Sequence, residues 1–178
     1  LKRYDELIEH YNNINAQNMR PLIIDCGANI GLSSIHFSTT FPNALIVSIE
    51  PEKNNFLQMK KNCVGLGNIE FQNMAIGAID GFANINDADA DNNAFRTSRS
   101  ENREGEIEVI SVSSILTRHK DFIPFIIKID IEGFEEDLFS SNTEWVEKFP
   151  LLIVETHDWM LPKQSNSFNF LNVISKLR

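Results

Sequence analysis

The segment Leu22-Ile23-Ile24-Asp25-Cys26-Gly27-Ala28-Asn29-Ile30-Gly31 passes from an apolar triplet, through an acidic residue, into a turn bounded by glycines. Consecutive apolar residues without alternation are the pattern of a strand covered on both faces. After Gly31, the residues from Leu32 to Phe41 take up helical spacing. Strand, tight turn and helix make the first half of a βαβ unit. Upstream, residues 3 to 17 read as an amphipathic helix carrying Leu7, Ile8, Tyr11 and Ile14 on one face, with Pro21 stopping it.

Downstream the unit repeats. Ala44-Leu45-Ile46-Val47-Ser48-Ile49-Glu50 is a second buried strand, and Pro51 suits the first turn of the helix that follows. That helix runs to about Cys63, Gly65-Leu66-Gly67 breaks it, and Ile69 to Met74 makes a third strand. The pattern lapses between Gly77 and Glu106, and residues 80–105 read as an insertion with a β-hairpin in it, mobile and beside the acceptor site. Glu106 to Val112 alternates polar and apolar residues, as an exposed or edge strand would. Phe125 to Asp130 and Leu151 to Glu155 are further strands, Phe134 to Phe139 a short helix and Phe168 to Leu177 a last one. The expected fold is one three-layer α/β domain over residues 1–178 with a mainly parallel sheet.

Each apolar strand ends in a carboxylate: Asp25, Glu50, Asp130 and Glu155. One such residue can be a helix cap, but four point to the ligand crevice that open α/β sheets hold outside the carboxyl ends of their strands. A nicotinamide site calls for Gly-x-Gly-x-x-Gly, whose middle glycine lets a pyrophosphate approach. Here Asn29 holds that middle place. A ligand that offers a carboxylate to the helix N-terminus fits better, and Glu50 is placed to accept hydrogen bonds from a ribose diol. A nucleoside joined to an amino-acid tail meets these demands, and S-adenosylmethionine is such a molecule. Its sulfonium cation also suits an acidic crevice.

Four motifs then carry a resemblance. Asp25-Cys26-Gly27-Ala28-Asn29-Ile30-Gly31, Glu50-Pro51, Asn73-Met74-Ala75-Ile76-Gly77 and Ile127-Lys128-Ile129-Asp130-Ile131-Glu132-Gly133 resemble the FkbM-type methyltransferases in order and placement. The resemblance covers about Pro21 to Pro162 and implies a class I, Rossmann-like enzyme dependent on S-adenosylmethionine. It implies O-methylation of a sugar, glycan or small secondary metabolite. It also implies that Asp25, Gly27, Ala28, Asn29 and Gly31 line the methionine portion, that Glu50 holds the ribose, and that Asn73 to Ala75 flank the adenine. Asp130 and Glu132 would lie at the reacting end, Asp130 also against the cofactor. Class I sheets close with an antiparallel strand pair after the last helix; the chain ends at Arg178, so that pair is expected to be absent.

An alcohol needs its proton removed as it attacks, so a base should stand near the methyl group. His157, two residues past Glu155, has the ordinary pKa nearest neutrality and is the expected base. Asp130 and Glu132 would then orient the acceptor or hold a divalent cation; the sequence leaves metal dependence open. His10, His36 and His119 read as surface residues, and Cys26 as a buried strand-end thiol rather than a nucleophile. Asp87-Ala88-Asp89-Ala90-Asp91 begins like a calcium loop, but Asn92 and Ser98 stand where that loop needs Gly and Glu. The rival readings are a cofactor-binding domain without transferase activity and a nicotinamide-dependent oxidoreductase.

Composition narrows the partners. The 178 residues carry 25 acids against 16 bases, a net charge of −9, which opposes nucleic acid as a partner because phosphate binding needs a basic face. Between Asp80 and Ile110, eight acids and three bases place −5 of that charge in one stretch. No apolar run approaches the roughly 20 residues that span a bilayer, and no apolar signal core follows the first charges. Two cysteines form neither a disulfide framework nor a metal spacing, which fits the cytoplasm. The chain opens on Leu1 without an initiator Met, the mark of a fragment or processed chain. A small-molecule or carbohydrate acceptor is the expected partner; the oligomeric state is open.

Overall fold

The computed structural model describes residues 2–87, 95–99, 107–131, 134–156 and 167–177. Helix α1 (Lys2–Ala16) leads into β1 (Arg20–Cys26), α2 (Leu32–Thr40), β2 (Leu45–Ile49), α3 (Lys53–Asn62) and β3 (Ile69–Gln72). There follow β4 (Ala75–Gly77), β5 (Gly81–Asp87), β6 (Phe95–Arg99), β7 (Ile107–Ser111), α4 (Val112–Arg118) and β8 (Phe122–Ile129). Helix α5 (Glu135–Leu138), a 3-10 turn over Thr143–Lys148, β9 (Leu151–Val154) and α6 (Phe168–Ile174) complete the described elements.

Five strands in the order β3-β2-β1-β8-β9 form a wholly parallel sheet. The period-2 alternation of β1 sends its side chains to two different cores. Leu22, Ile24 and Cys26 pack with Ile127, Ile129, Val112, Ile115, Leu138 and Trp145 on one face. Ile23 packs with Tyr11 and Ile14 of α1 and with Phe37 and Phe41 around α2 on the other. All four β1 side chains are fully buried, which explains why the strand reads as an unbroken apolar run. The chain thus has the expected α/β, Rossmann-like layering: helices on both sides of a parallel sheet.

A smaller sheet, in the order β4-β7-β5-β6, lies beside it. Its strands β4 and β7 are parallel and the rest antiparallel. Ile76 and Ile110 carry its apolar surface into the same core as β1 and β8.

Several sequence expectations need correction. Strand β7 is no edge, because β4 and β5 pair on its two sides and Val109, Ile110 and Ser111 are buried. The third strand stops at Gln72, and the chain enters the second sheet at Ala75. Pro51 lies ahead of α3, whose N-cap is Glu52 with its carboxylate accepting the Asn55 amide at 2.7 Å. Helix α4 and the 3-10 turn were not anticipated. The expected hairpin within 80–105 exists as β5 and β6, and its base is packed: Ala83 is fully buried with Ala75, Val109 and Phe134. Residues 88–94 and 100–105, the rest of that stretch, lie outside the described residues. Among the described residues no helix is long and apolar enough to cross a membrane.

Candidate functional site

Register brings the strand ends level. Cys26 is paired with Ile49 on one side and Ile129 on the other, and Ile129 with Val154. The next residues, Gly27, Glu50, Asp130 and Glu155, therefore form one row across the carboxyl edge. Backbone hydrogen bonds extend the ladder into that row: the Gly27 and Ala28 amides donate to Ile49 at 3.0 and 2.9 Å, Asp130 to Cys26 at 3.1 Å, and Glu155 to Ile129 at 2.9 Å.

The turn between β1 and α2 is shaped by backbone conformations that ordinary residues avoid. Gly27, Asn29 and Gly31 have φ of 73°, 49° and 90°. At Gly27 a Cβ would lie 1.7 Å from the Asp130 carbonyl oxygen. The close crossing of this turn over the end of β8 thus requires the missing side chain. Helix α2 is preceded by Gly31 as its N-cap, which has no side chain to accept from the first-turn amides. A glycine-lined approach and uncapped amides fit the carboxylate end of an amino-acid ligand.

Glu50 is 6% exposed and braces the turn. Its Oε2 accepts the Asn29 amide at 2.8 Å and its Oε1 accepts the Glu52 amide at 2.9 Å. Burial raises its pKa above the ordinary 4.5, and the two backbone donors only partly offset that. Each oxygen of a carboxylate has a second acceptor site, so Glu50 retains capacity for a ligand diol. Asn73 fastens the neighbouring strand exit, its Nδ2 donating to the Glu50 and Pro51 carbonyls at 2.9 and 3.0 Å.

Asp25 sits beneath the row and is fully buried. Its Oδ2 accepts from the Ser33 and Ser34 hydroxyls, each at 2.6 Å, and Ser34 reaches Ser48 at 2.8 Å. The Lys128 ammonium stands 3.4 Å from Asp25 Oδ1 and 3.2 Å from Asp130 Oδ2, and donates to the Gly27 carbonyl at 3.0 Å. Burial works against that ammonium, but the two carboxylates outweigh it and hold the Lys128 pKa above its ordinary value. The sequence pattern assigns Lys128 no role, although it falls within the Ile127 to Gly133 motif. Its signal was a lysine inside the apolar run Ile126-Ile127-Lys128-Ile129.

The other candidates divide. Asn29 is exposed at the turn, Asp130 is half-buried and Glu155 exposed. Ala28 and Ala75 are buried, Ala28 against Met59 and Cys63. Glu132 and His157 lie outside the described residues. Cys26 is buried and burial pushes its thiol pKa far up, as expected of an inert thiol. His10 and His36 are exposed. His119 is a correction: it is partly buried, its Nδ1 2.9 Å from the Ile115 carbonyl and its Nε2 2.9 Å from the Glu70 carboxylate, tying α4 to β3. Among the described residues no three His, Cys, Asp or Glu side chains gather where they could hold a metal ion.

No curated protein matches the chain. Among solved structures it is similar to the plantazolicin methyltransferase BpumL in complex with SAH, at 11% identity and a TM-score of 0.42. The likeness covers 93% of this chain and 51% of that one, so the chain spans about half the length of that structure. A family model, the methyltransferase FkbM domain, matches residues 25–178, from the buried aspartate of β1 to the final residue. The chain belongs to the FkbM methyltransferase domain family.

Proposed function

We propose that this chain transfers a methyl group from S-adenosylmethionine to a hydroxyl oxygen of a sugar, glycan or small secondary metabolite. The observation that carries the reading is the row of Gly27, Glu50 and Asp130 at the carboxyl edge of a parallel sheet, in a chain of this family. Bound there, the cofactor supplies a methyl carbon already activated by its sulfonium.

The chain's own residues then bind and orient. Gly27, Asn29, Gly31 and the first amides of α2 take the methionine portion, and Glu50 accepts from the ribose hydroxyls. Asn73 to Ala75 wall the adenine, with Ala75 contributing through its backbone because its side chain faces the core. Asp130 and Glu132 orient the acceptor, and His157 removes its proton in concert with transfer. Placing the acceptor oxygen in line contributes on the order of 7–11 kcal/mol to such reactions. Two buried, unpaired cysteines, Cys26 and Cys63, support a reducing, cytoplasmic setting.

Incubation with methyl-labelled S-adenosylmethionine and a panel of hydroxyl-bearing sugars and metabolites tests the reading. It expects label in an ether that resists mild base. Label appearing only on amines or carboxylates would overturn the hydroxyl assignment.

The elevated pKa of Glu50 adds a pH signature. Its carboxylate must be ionised to accept from a diol while bracing Asn29, and its folded pKa lies above 4.5. Cofactor affinity should therefore be full at neutral pH and fall as pH drops, with a midpoint above that of an ordinary glutamate. Glu50→Gln should bind about tenfold or more weakly at neutral pH and lose the acid dependence. A parent affinity that stays flat down to pH 4.5 would remove Glu50 from the site.

A further inference from the structure

Lys128 is a cation inside a strand that is otherwise apolar, and the structure surrounds it with oxygen atoms from three separate segments. These are Asp25 Oδ1 of β1 at 3.4 Å, the Gly27 carbonyl of the turn at 3.0 Å, and Asp130 Oδ2 just past β8 at 3.2 Å. An ammonium has three N–H donors, and three oxygens surround this one. Its side chain is 17% exposed, that of Asp25 is 0% exposed and that of Asp130 31%. Of the three charges, Asp130 is therefore the one that a ligand can meet, and Lys128 acts on a ligand only through it. Asp25, Lys128 and Asp130 together carry one net negative charge. Without the ammonium the same floor carries two.

We propose that Lys128 is a positioning residue that sets the charge of the crevice floor, tempering Asp130 so that the site does not over-favour the cationic methyl donor relative to its neutral thioether product. This rests on the crevice being the S-adenosylmethionine site. The two forms of the cofactor differ by one methyl group and one positive charge at sulfur, so their affinity ratio reads the local charge directly. A residue that only braces the fold would weaken both forms by the same factor. Lys128 instead shifts the ratio.

Calorimetry with S-adenosylmethionine and with S-adenosylhomocysteine, on the parent and on Lys128→Gln, tests it. Gln keeps an N–H donor for the Gly27 carbonyl while removing the charge. The ratio of affinities should move toward S-adenosylmethionine by about fivefold or more, as loss of a charge a few ångströms from a half-buried carboxylate implies. Lys128→Arg should restore the parental ratio. Removing one partner of a buried ion pair can unfold a protein, whereas neutralising both is tolerated far better. Asp25→Asn alone, which leaves the floor neutral, should move the ratio toward S-adenosylhomocysteine, and the double variant Asp25→Asn/Lys128→Gln, which returns it to one net negative charge, should bring the ratio back near the parental value. A ratio that stays at the parental value in Lys128→Gln, or in Asp25→Asn should Lys128→Gln fail to fold, overturns the role of Lys128. A parent that binds neither form overturns the cofactor reading itself, and this proposal with it.

Discussion

Gly27→Ala should destabilise the protein severely while Gly65→Ala should not. Both glycines have left-handed φ, 73° and 88°, a conformation that costs an L residue about 1–2 kcal/mol. Only their surroundings differ. At Gly65 a Cβ meets nothing within 4 Å, whereas at Gly27 it meets the Asp130 carbonyl oxygen at 1.7 Å. Relieving that overlap means moving backbone that is itself paired, because the Asp130 amide donates to Cys26 at 3.1 Å. Overpacking adds about 1–3 kcal/mol, so Gly27→Ala should lose roughly 2–5 kcal/mol in all. In a chain of this size that lowers Tm by on the order of 10 °C, against a few degrees for Gly65→Ala. Thermal melts of the two variants check it. Equal melting temperatures would mean that the turn does not cross β8 as closely as described.

His157→Ala should lower turnover by about 100-fold or more while leaving S-adenosylmethionine affinity near the parental value. The residue follows Glu155, whose amide extends the β8–β9 ladder at the crevice edge. The ordinary pKa of an imidazole is the nearest to neutrality of any side chain's. Free deprotonation of an alcohol is too uphill for an imidazole, so on the proposed reading its contribution would appear only as the methyl moves. The expected signature is a fall in kcat with cofactor Kd unchanged. Turnover that survives the substitution, or cofactor binding that collapses with it, would assign His157 to bracing its own loop.

How much of this was legible in the sequence depends on the distance over which each feature is determined. Strands β1, β2 and β8 lie inside the sheet with both faces covered over most of their length, so most of their side chains had to be apolar whatever their partners; β9 lies at the sheet edge with Ile153 exposed and reads as apolar all the same. The turn announced itself because close approach and left-handed φ leave few residue choices. By contrast, Glu106 to Val112 alternates because its two faces differ, and alternation says nothing about which strands pair on either side. The partners of β7 come from residues 75–77 and 81–83, and only the fold places them. Helix α4 is held at its start from afar: Asp80 accepts the Ser111 amide at 2.7 Å and the Ser114 hydroxyl at 2.8 Å. Short and rich in serine and threonine, it carries little local helical signal.

The same distinction applies within the candidate site. Asp25, Glu50 and Asp130 were found as strand-end acids, but their different duties follow from depth. Asp25 is two residues below the row and serves serines and a lysine. Glu50 is in the row and divides its oxygens between two backbone amides. Lys128 stayed unread because a single lysine in a strand acquires meaning only when the neighbouring strand puts Asp25 beside it.

Hydrogen exchange measured with and without S-adenosylhomocysteine reports at once whether the crevice at the carboxyl edge binds the cofactor and where. Exchange should slow at the amides of Gly27 to Ser34, at Glu50 and Glu52 and around Asn73, with the amino edge of the sheet near Arg20 and Phe122 unchanged. Protection confined to that amino edge, or no change anywhere at saturating ligand, would contradict it.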